Sequence, residues 1–218
     1  MLGATGLAVG GLLLGGGSAH GLTRVRRAAT PDEAWAKLRE GNRRWAADAA
    51  IHPHQDLARR AEVAQKQEPY AVIVSCIDSR VGPEIVFDAG LGDVFSVRSA
   101  AQTIDPLVSG AVQYGPVELA TPLIVVLGHQ RCGAVTAAAE ALSEGTTLPG
   151  DLQRIVEALR PAYKSAHGDV DKMIRINTTQ TVAKLKDDKL LAPRIARGQL
   201  KIVGAYYSLD TGQVTRLV

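Results

Sequence analysis

Two short stretches carry the residues that could do chemistry. Cys76-Ile77-Asp78-Ser79-Arg80 closes the apolar run Tyr70-Ala71-Val72-Ile73-Val74-Ser75, and Gly128-His129-Gln130-Arg131-Cys132-Gly133 follows Leu123-Ile124-Val125-Val126-Leu127. Cys76 and Cys132 are the only cysteines in the 218-residue chain. His129-x-x-Cys132 keeps an imidazole close to a thiolate, and Cys76 arrives from a second strand end. Two thiolates and one imidazole make a three-donor tetrahedral site with the fourth position open, the pattern of a catalytic rather than a structural zinc. On spacing alone, a pair of buried free cysteines and a core histidine fits equally well. Asp78 and Arg80 favour a site. Alternating with Cys76 in an extended backbone, they would share its side, where Arg80 can hold the Asp78 carboxylate in a charge-assisted pair. A carboxylate fixed beside a metal-held water accepts its hydrogen bond and so sets where its lone pair points. The plainer alternative is a structural ion pair at a strand end. A redox pair is disfavoured, because it would usually read Cys-x-x-Cys and these two cysteines lie far apart in the chain.

These residues meet only if a fold carries them together. Short apolar runs predict strands over 70–76, 93–97 and 123–127, alternating with helices over 83–89, 106–119 and 132–142. Helices follow over 152–163 and 170–191, then a strand over 200–209. Asp210-Thr211-Gly212 turns the chain into a last strand over 213–217. Such alternation implies right-handed crossovers and an α/β fold, a mainly parallel central sheet flanked by helices. Ligands from the carboxyl ends of neighbouring strands converge where open sheets of this kind place their sites. An amino-terminal helical arm precedes the sheet. Thr30-Pro31-Asp32-Glu33 reads as a helix start, with Thr30 as cap and Glu33 three residues on, and Ala34, Trp35, Leu38 and Trp45 then fall on roughly one face. A loop over 51–55 carries His52 and His54, expected to be simply exposed, and 57–67 reads as an exposed helix.

Composition narrows the function classes. Hydrophobic residues make up 46% and aromatic residues 4%, which favours Ala-rich helices packed on a Val/Ile-rich sheet. The formal charge of +3 is spread out, with no Lys/Arg block interleaved with aromatics, so no nucleic-acid partner is expected. Leu2 to Gly17 is uncharged, apolar and glycine-rich. It is shorter than the ~20 residues of a membrane span, and no stable span is expected. Small residues at Ser18 and Ala19 make it similar to the hydrophobic part of a secretory signal, although no basic residue precedes it. Residues 1–29 are therefore expected to form a signal-like leader or a disordered arm, and 30–218 one domain. The expected location is periplasmic or extracellular, or cytoplasmic where the leader does not function. Cysteines that hold a metal would suit export of an already folded, loaded chain.

Cys-x-Asp-Ser-Arg followed by Gly-His-x-x-Cys-Gly resembles the β-class carbonic anhydrases, and the combination is highly specific. Leu38-Arg39-Glu40-Gly41-Asn42-Arg43-Arg44-Trp45 is similar to that family's amino-terminal helix, and Gly204 through Gly212 to its closing strands. The resemblance covers residues 30–218. It implies one zinc per chain on Cys76, His129 and Cys132, with Asp78 and Arg80 as the catalytic dyad. It implies reversible hydration of CO2 to bicarbonate and a proton, by a zinc-bound hydroxide that Asp78 orients. A closed form, in which Asp78 itself ligates the zinc and releases Arg80, is implied at lower pH, as is a homodimer or tetramer in which the first helix embraces a second subunit. One loop departs from the family. Where Arg-Asn-Ala-Gly-Asn is common, this chain has Arg98-Ser99-Ala100-Ala101-Gln102, which alters two side-chain amides and adds a methyl to a glycine. Two thiolates cancel the zinc charge, so a bound water should be less acidic than the pKa of about 7 reached with three neutral histidines, and activity is expected to rise on the alkaline side. Two other readings use the same residues: hydrolysis of carbonyl sulfide or carbon disulfide, and a non-catalytic zinc-binding protein. The presence of both Asp78 and Arg80 argues against the second.

Overall fold

Strands buried on both faces must be apolar throughout, and the two apolar runs become the central strands of the sheet. The computed structural model describes residues 30–218, so the expected leader lies outside the described residues. β1 (Ala71–Cys76) and β3 (Leu123–His129) are buried at every position. With β2 (Val94–Ser99), β4 (Lys201–Tyr207) and β5 (Val214–Arg216) they form one sheet in the order β2-β1-β3-β4-β5. The first four strands are parallel, and β5 runs antiparallel to β4. The expected mainly parallel sheet flanked by helices is what the chain forms.

Period-two alternation sends neighbouring residues to opposite faces. Ile73, Val125, Leu127, Val203 and Ala205 pack on one side with Ala34, Trp35 and Leu38 of α1 (Pro31–Ala46) and with Val86 and Phe87 around α3 (Pro83–Val86). Val72, Val74, Ile124 and Val126 face the other side, against Val112 of α4 (Pro106–Glu118) and Val182 and Leu185 of α7 (Val170–Lys186). Toward the carboxyl ends of the strands that second layer continues through α5 (Gly133–Glu144) and α6 (Leu152–Ala166).

The start of α1 is the expected capping box. Thr30 Oγ1 accepts from the Glu33 N–H at 3.2 Å, and Glu33 Oε2 from the Thr30 N–H at 2.9 Å. Farther along, the α1 backbone passes so close to α3 that a β-carbon on Gly41 would stand 1.8 Å from the Phe87 carbonyl oxygen. Asn42, buried beside it, donates to the carbonyls of Val86 and Gly212 and accepts from the Val214 N–H. One side chain thus ties the first helix to the turn between β4 and β5.

Several expected boundaries move. The helix over 57–67 ends early, as α2 (Leu57–Val63). The strand over 123–127 extends to His129, which makes that residue the last of β3. The helix over 170–191 breaks after Lys186 and resumes as α8 (Ala192–Ala196). Asp188 Oδ1 accepts from the N–H groups of Leu190 and Leu191, giving the backbone a turn in place of helix. Among the described residues, no helix is long and apolar enough to cross a membrane.

Candidate metal centre

Two of the three donors sit on strand ends, Cys76 closing β1 and His129 closing β3. From β1 the chain moves to one side of the sheet and from β3 to the other, so these adjacent ends border the crevice where open parallel sheets bind ligands. Cys132 is the cap of α5, and the backbone of Ala134 and Val135 in the first turn of that helix favours its thiolate. Arg131, in the left-handed conformation at φ 51, makes the reversal that brings Cys132 back toward the strand ends. The ligating atoms of Cys76, His129 and Cys132 lie within 4.8 Å of one another, and all three residues are buried. The two sulfurs are 3.8 Å apart, well beyond the S–S bond of about 2.05 Å in a disulfide.

Neighbouring groups orient each donor. His129 Nδ1 stands 3.0 Å from the Gln130 carbonyl oxygen. A carbonyl only accepts, so Nδ1 carries the proton and Nε2 presents its lone pair to the two sulfurs. That Nε2 is buried without a hydrogen-bond partner, which is costly unless a metal takes the lone pair. Cys76 Sγ accepts from the Ala101 N–H at 3.3 Å. Its hydrogen bond with Cys132 holds the Cys76 thiol below its ordinary pKa, while the same bond and burial push Cys132 up. The bare pair thus releases one proton easily and resists losing the second. A divalent cation would favour both thiolates, and sulfur with imidazole suits a borderline-soft ion.

Asp78 and Arg80 meet by a route other than the extended one expected. β1 ends where its pairing with β2 ends, at Cys76 opposite Ser99. The chain then turns, and Asp78 Oδ1 accepts the Arg80 N–H at 3.0 Å, an aspartate bonding the backbone two residues on. The guanidinium closes the ring in a two-pronged contact, Nε to Oδ1 at 2.9 Å and Nη2 to Oδ2 at 2.7 Å. These bonds from Arg80 pull the Asp78 carboxyl down to about 2. Asp78 Oδ2 lies 3.9 Å from His129 Nε2, at the edge of the donor triangle. All five residues singled out from the sequence are therefore brought together.

The 98–102 loop, where the chain departs from the family pattern, supports the site as well, together with Asn177 and Thr178 of α7, which belong to no motif in the sequence. Arg98, at the end of β2, donates to the carbonyls of Cys76 at 2.9 Å and Asp78 at 2.7 Å. Its place opposite Ser75 in the β1–β2 register is what aims it there. Ala101 and Gln102 both adopt positive φ, 52° and 48°. Asn177 of α7 donates to the Ala101 carbonyl at 2.9 Å, and Gln102 Nε2 to Thr178 Oγ1 at 3.2 Å. Polar residues on a buried helix face were the available signal. Elsewhere, His54 is not simply exposed: its Nδ1 lies 2.8 Å from buried Asp93. Neither His52 nor His54 belongs to the donor cluster.

The family model for carbonic anhydrase matches residues 71–214. Carbonic anhydrase 2 of Mycobacterium tuberculosis is 44% identical to this chain over 188 residues, covering 84% of this chain and 91% of that protein. Among solved structures, the β-carbonic anhydrase of Coccomyxa in complex with acetazolamide matches with a TM-score of 0.66 and 27% identity, covering 82% of this chain and 83% of that one. A tetrameric β-carbonic anhydrase of Sordaria macrospora matches with a TM-score of 0.65 and 25% identity, over 82% of this chain and 93% of the other. The family match runs from β1, which carries Cys76, to the final strand, and the identity with the mycobacterial protein spans most of the chain, so this chain belongs to the β-carbonic anhydrases.

Proposed function

We propose that the chain hydrates CO2 reversibly to bicarbonate and a proton, with one zinc ion on Cys76, His129 and Cys132 and with Asp78 and Arg80 as the catalytic dyad. The donor cluster carries this reading. Its sulfurs, 3.8 Å apart, have the separation of two thiolates bound at about 2.3 Å to one tetrahedral zinc. The unpartnered Nε2 of His129 is the third donor, and three protein ligands leave one position for a reactant. Zinc supplies the Lewis acidity that lets a water act as nucleophile near neutral pH.

Orientation falls to the protein. Asp78, kept ionised by Arg80, can only accept hydrogen bonds, so it takes one from the reacting water and leaves the water's lone pair free to face the CO2 carbon. Arg80 is itself held twice, by its fork on Asp78 and by the Arg131 carbonyl at 3.1 Å, so the carboxylate stays in place. Ala101, Val135 and Ala138 pack with the two cysteines and give the centre an apolar wall, which suits a small uncharged substrate. The proton released passes to buffer.

A homo-oligomer, dimer or tetramer, accompanies this reading. The Sordaria relatives are tetrameric, and Ile51, Leu57, Ile85 and Leu107 of this chain present large apolar side chains at its surface. Light scattering checks the assembly. For residues 1–29 the reading is a cleaved export leader, checked by amino-terminal sequencing of the mature protein.

The deciding experiment is stopped-flow CO2 hydration by zinc-quantified protein at pH ~7 and ~8.5. About one zinc per chain and faster turnover at the alkaline pH are expected, because two thiolate ligands leave little net charge to acidify water. Asp78→Ala should keep its zinc and lose most turnover. Full zinc occupancy without hydration at either pH would sink the reading.

A further inference from the structure

One exposed carboxylate reaches both halves of the site through intermediaries. Asp210 lies in the turn between β4 and β5. Its Oδ2 accepts from Gln130 Nε2 at 2.8 Å and from Arg131 Nη1 at 3.1 Å, and its Oδ1 from Arg131 Nη2 at 2.6 Å. Gln130 Oε1 in turn accepts from the Asp210 N–H and the Ser208 hydroxyl, both at 3.3 Å. The backbone ends of the same two residues point the other way. The Gln130 carbonyl accepts from His129 Nδ1 at 3.0 Å, and the Arg131 carbonyl accepts from Arg80 Nη2 at 3.1 Å. Two consecutive residues thus hold one member of the site each by their carbonyls, and both are held by Asp210 through their side chains.

We propose that Asp210 is a positioning residue for the reaction. By clamping Gln130 and Arg131 it fixes the two carbonyls that aim His129 Nε2 at the metal and keep Arg80 on Asp78. This rests on the CO2-hydration reading above and deepens it. The segment needs such a hold, because Arg131 sits at φ 51, a left-handed conformation that a β-carbon disfavours. The clamp has its own footing. Asn42 bonds the Gly212 carbonyl and the Val214 N–H, so the turn that carries Asp210 is tied to α1.

The Asp210 and Arg131 side chains are 56% and 55% exposed, and an exposed ion pair contributes little to folding. A positioning role therefore has a distinct signature, a large effect on the site with a small effect on stability. The experiment compares the unsubstituted zinc protein with Asp210→Ala, Arg131→Ala, the double variant and Asp210→Asn. It reads zinc transfer to a chromogenic chelator, hydration rate per bound zinc, and the thermal midpoint. Asp210→Ala should release zinc and lose turnover per zinc by about ten-fold each, the lower end of what outer-shell partners of a metal ligand contribute. Its thermal midpoint should move by no more than a few degrees, roughly what a surface substitution does. The double variant should be no worse than the worse single one, since both remove the same contact. Asp210→Asn, which keeps an acceptor oxygen, should recover part of the loss. Zinc release and turnover per zinc within about two-fold of the unsubstituted protein, below the range for an outer-shell partner, would overturn the proposal, as would losses that simply multiply in the double variant. If Asp210→Ala does not fold, Arg131→Ala and Asp210→Asn carry the same comparison. An unsubstituted protein that binds no zinc overturns the parent reading and this one together. Normal zinc binding and hydration that survive every substitution overturn this one alone.

Discussion

Asp78 is the residue at which pH acts most plainly on the site. Its folded pKa of about 2 lies below the ordinary aspartate value of about 3.9. A depressed carboxyl contributes stability that is fully present above the unfolded pKa and is lost as pH falls through the folded one. For Asp78 that loss falls between about pH 4 and pH 2. Arg80→Ala should move the Asp78 titration, followed by carboxyl NMR, up toward about 3.9; an inflection that stays near 2 would show that the guanidinium is not its cause. Ala101 poses a different question, because opposing effects nearly cancel there. Replacing it with glycine relieves a left-handed alanine worth about 1–2 kcal/mol. The same change removes a buried methyl worth about 0.8 kcal/mol and adds glycine's unfolded-state entropy, about 0.5–1 kcal/mol. Ala101→Gly should therefore shift unfolding free energy by less than about 1 kcal/mol. Asn177→Ala has no such compensation. It strands the buried Ala101 carbonyl and should cost about 1–3 kcal/mol in urea denaturation.

At the scale of elements, Asn42 is the joint with most at stake. Its amide satisfies three backbone groups, the Val86 carbonyl at the end of α3, the Gly212 carbonyl in the β4–β5 turn and the Val214 N–H at the start of β5. Asn42→Ala leaves all three without that partner and should destabilise by at least about 2 kcal/mol, read from the urea midpoint; a cost below about 1 kcal/mol, the net worth of a single hydrogen bond, would show that α1 docks without depending on the Asn42 amide. The elements also show which parts of the molecule were legible in the sequence. β1 and β3 could be read because burial on both faces leaves no position for a charge, and the α1 start because capping is local chemistry. The turn after Cys76 could not, since it depends on where β2 stops pairing with β1. The break after α7 was hidden for a similar reason. Asp188, which makes that turn, is held from another helix by Gln113 Nε2 at 2.8 Å. In the site, the donors were legible because cysteine and histidine are rare and chemically distinct. The carbonyls of Gln130 and Arg131 that orient them were not, because every residue has a carbonyl and only the fold decides where it points.

For the molecule as a whole, the seat of α1 joins distant parts of the chain. Ala34, Trp35 and Leu38 pack with Leu127 of β3 and with Val203, Ala205 and Tyr207 of β4, and Asn42 reaches the turn beyond. A chain stopped at residue 200 would lack the later part of that surface. It is expected to collect in the insoluble fraction or to bind a hydrophobic dye, whereas a soluble chain that ignores the dye would show that α1 docks without β4. In the living cell the same feature becomes a matter of time. At about 5–20 residues per second, the ribosome needs on the order of ten to thirty seconds to pass from the end of α1 to the end of β4. Through that interval α1 has only part of its partner surface, so the newborn chain is exposed to aggregation at that helix.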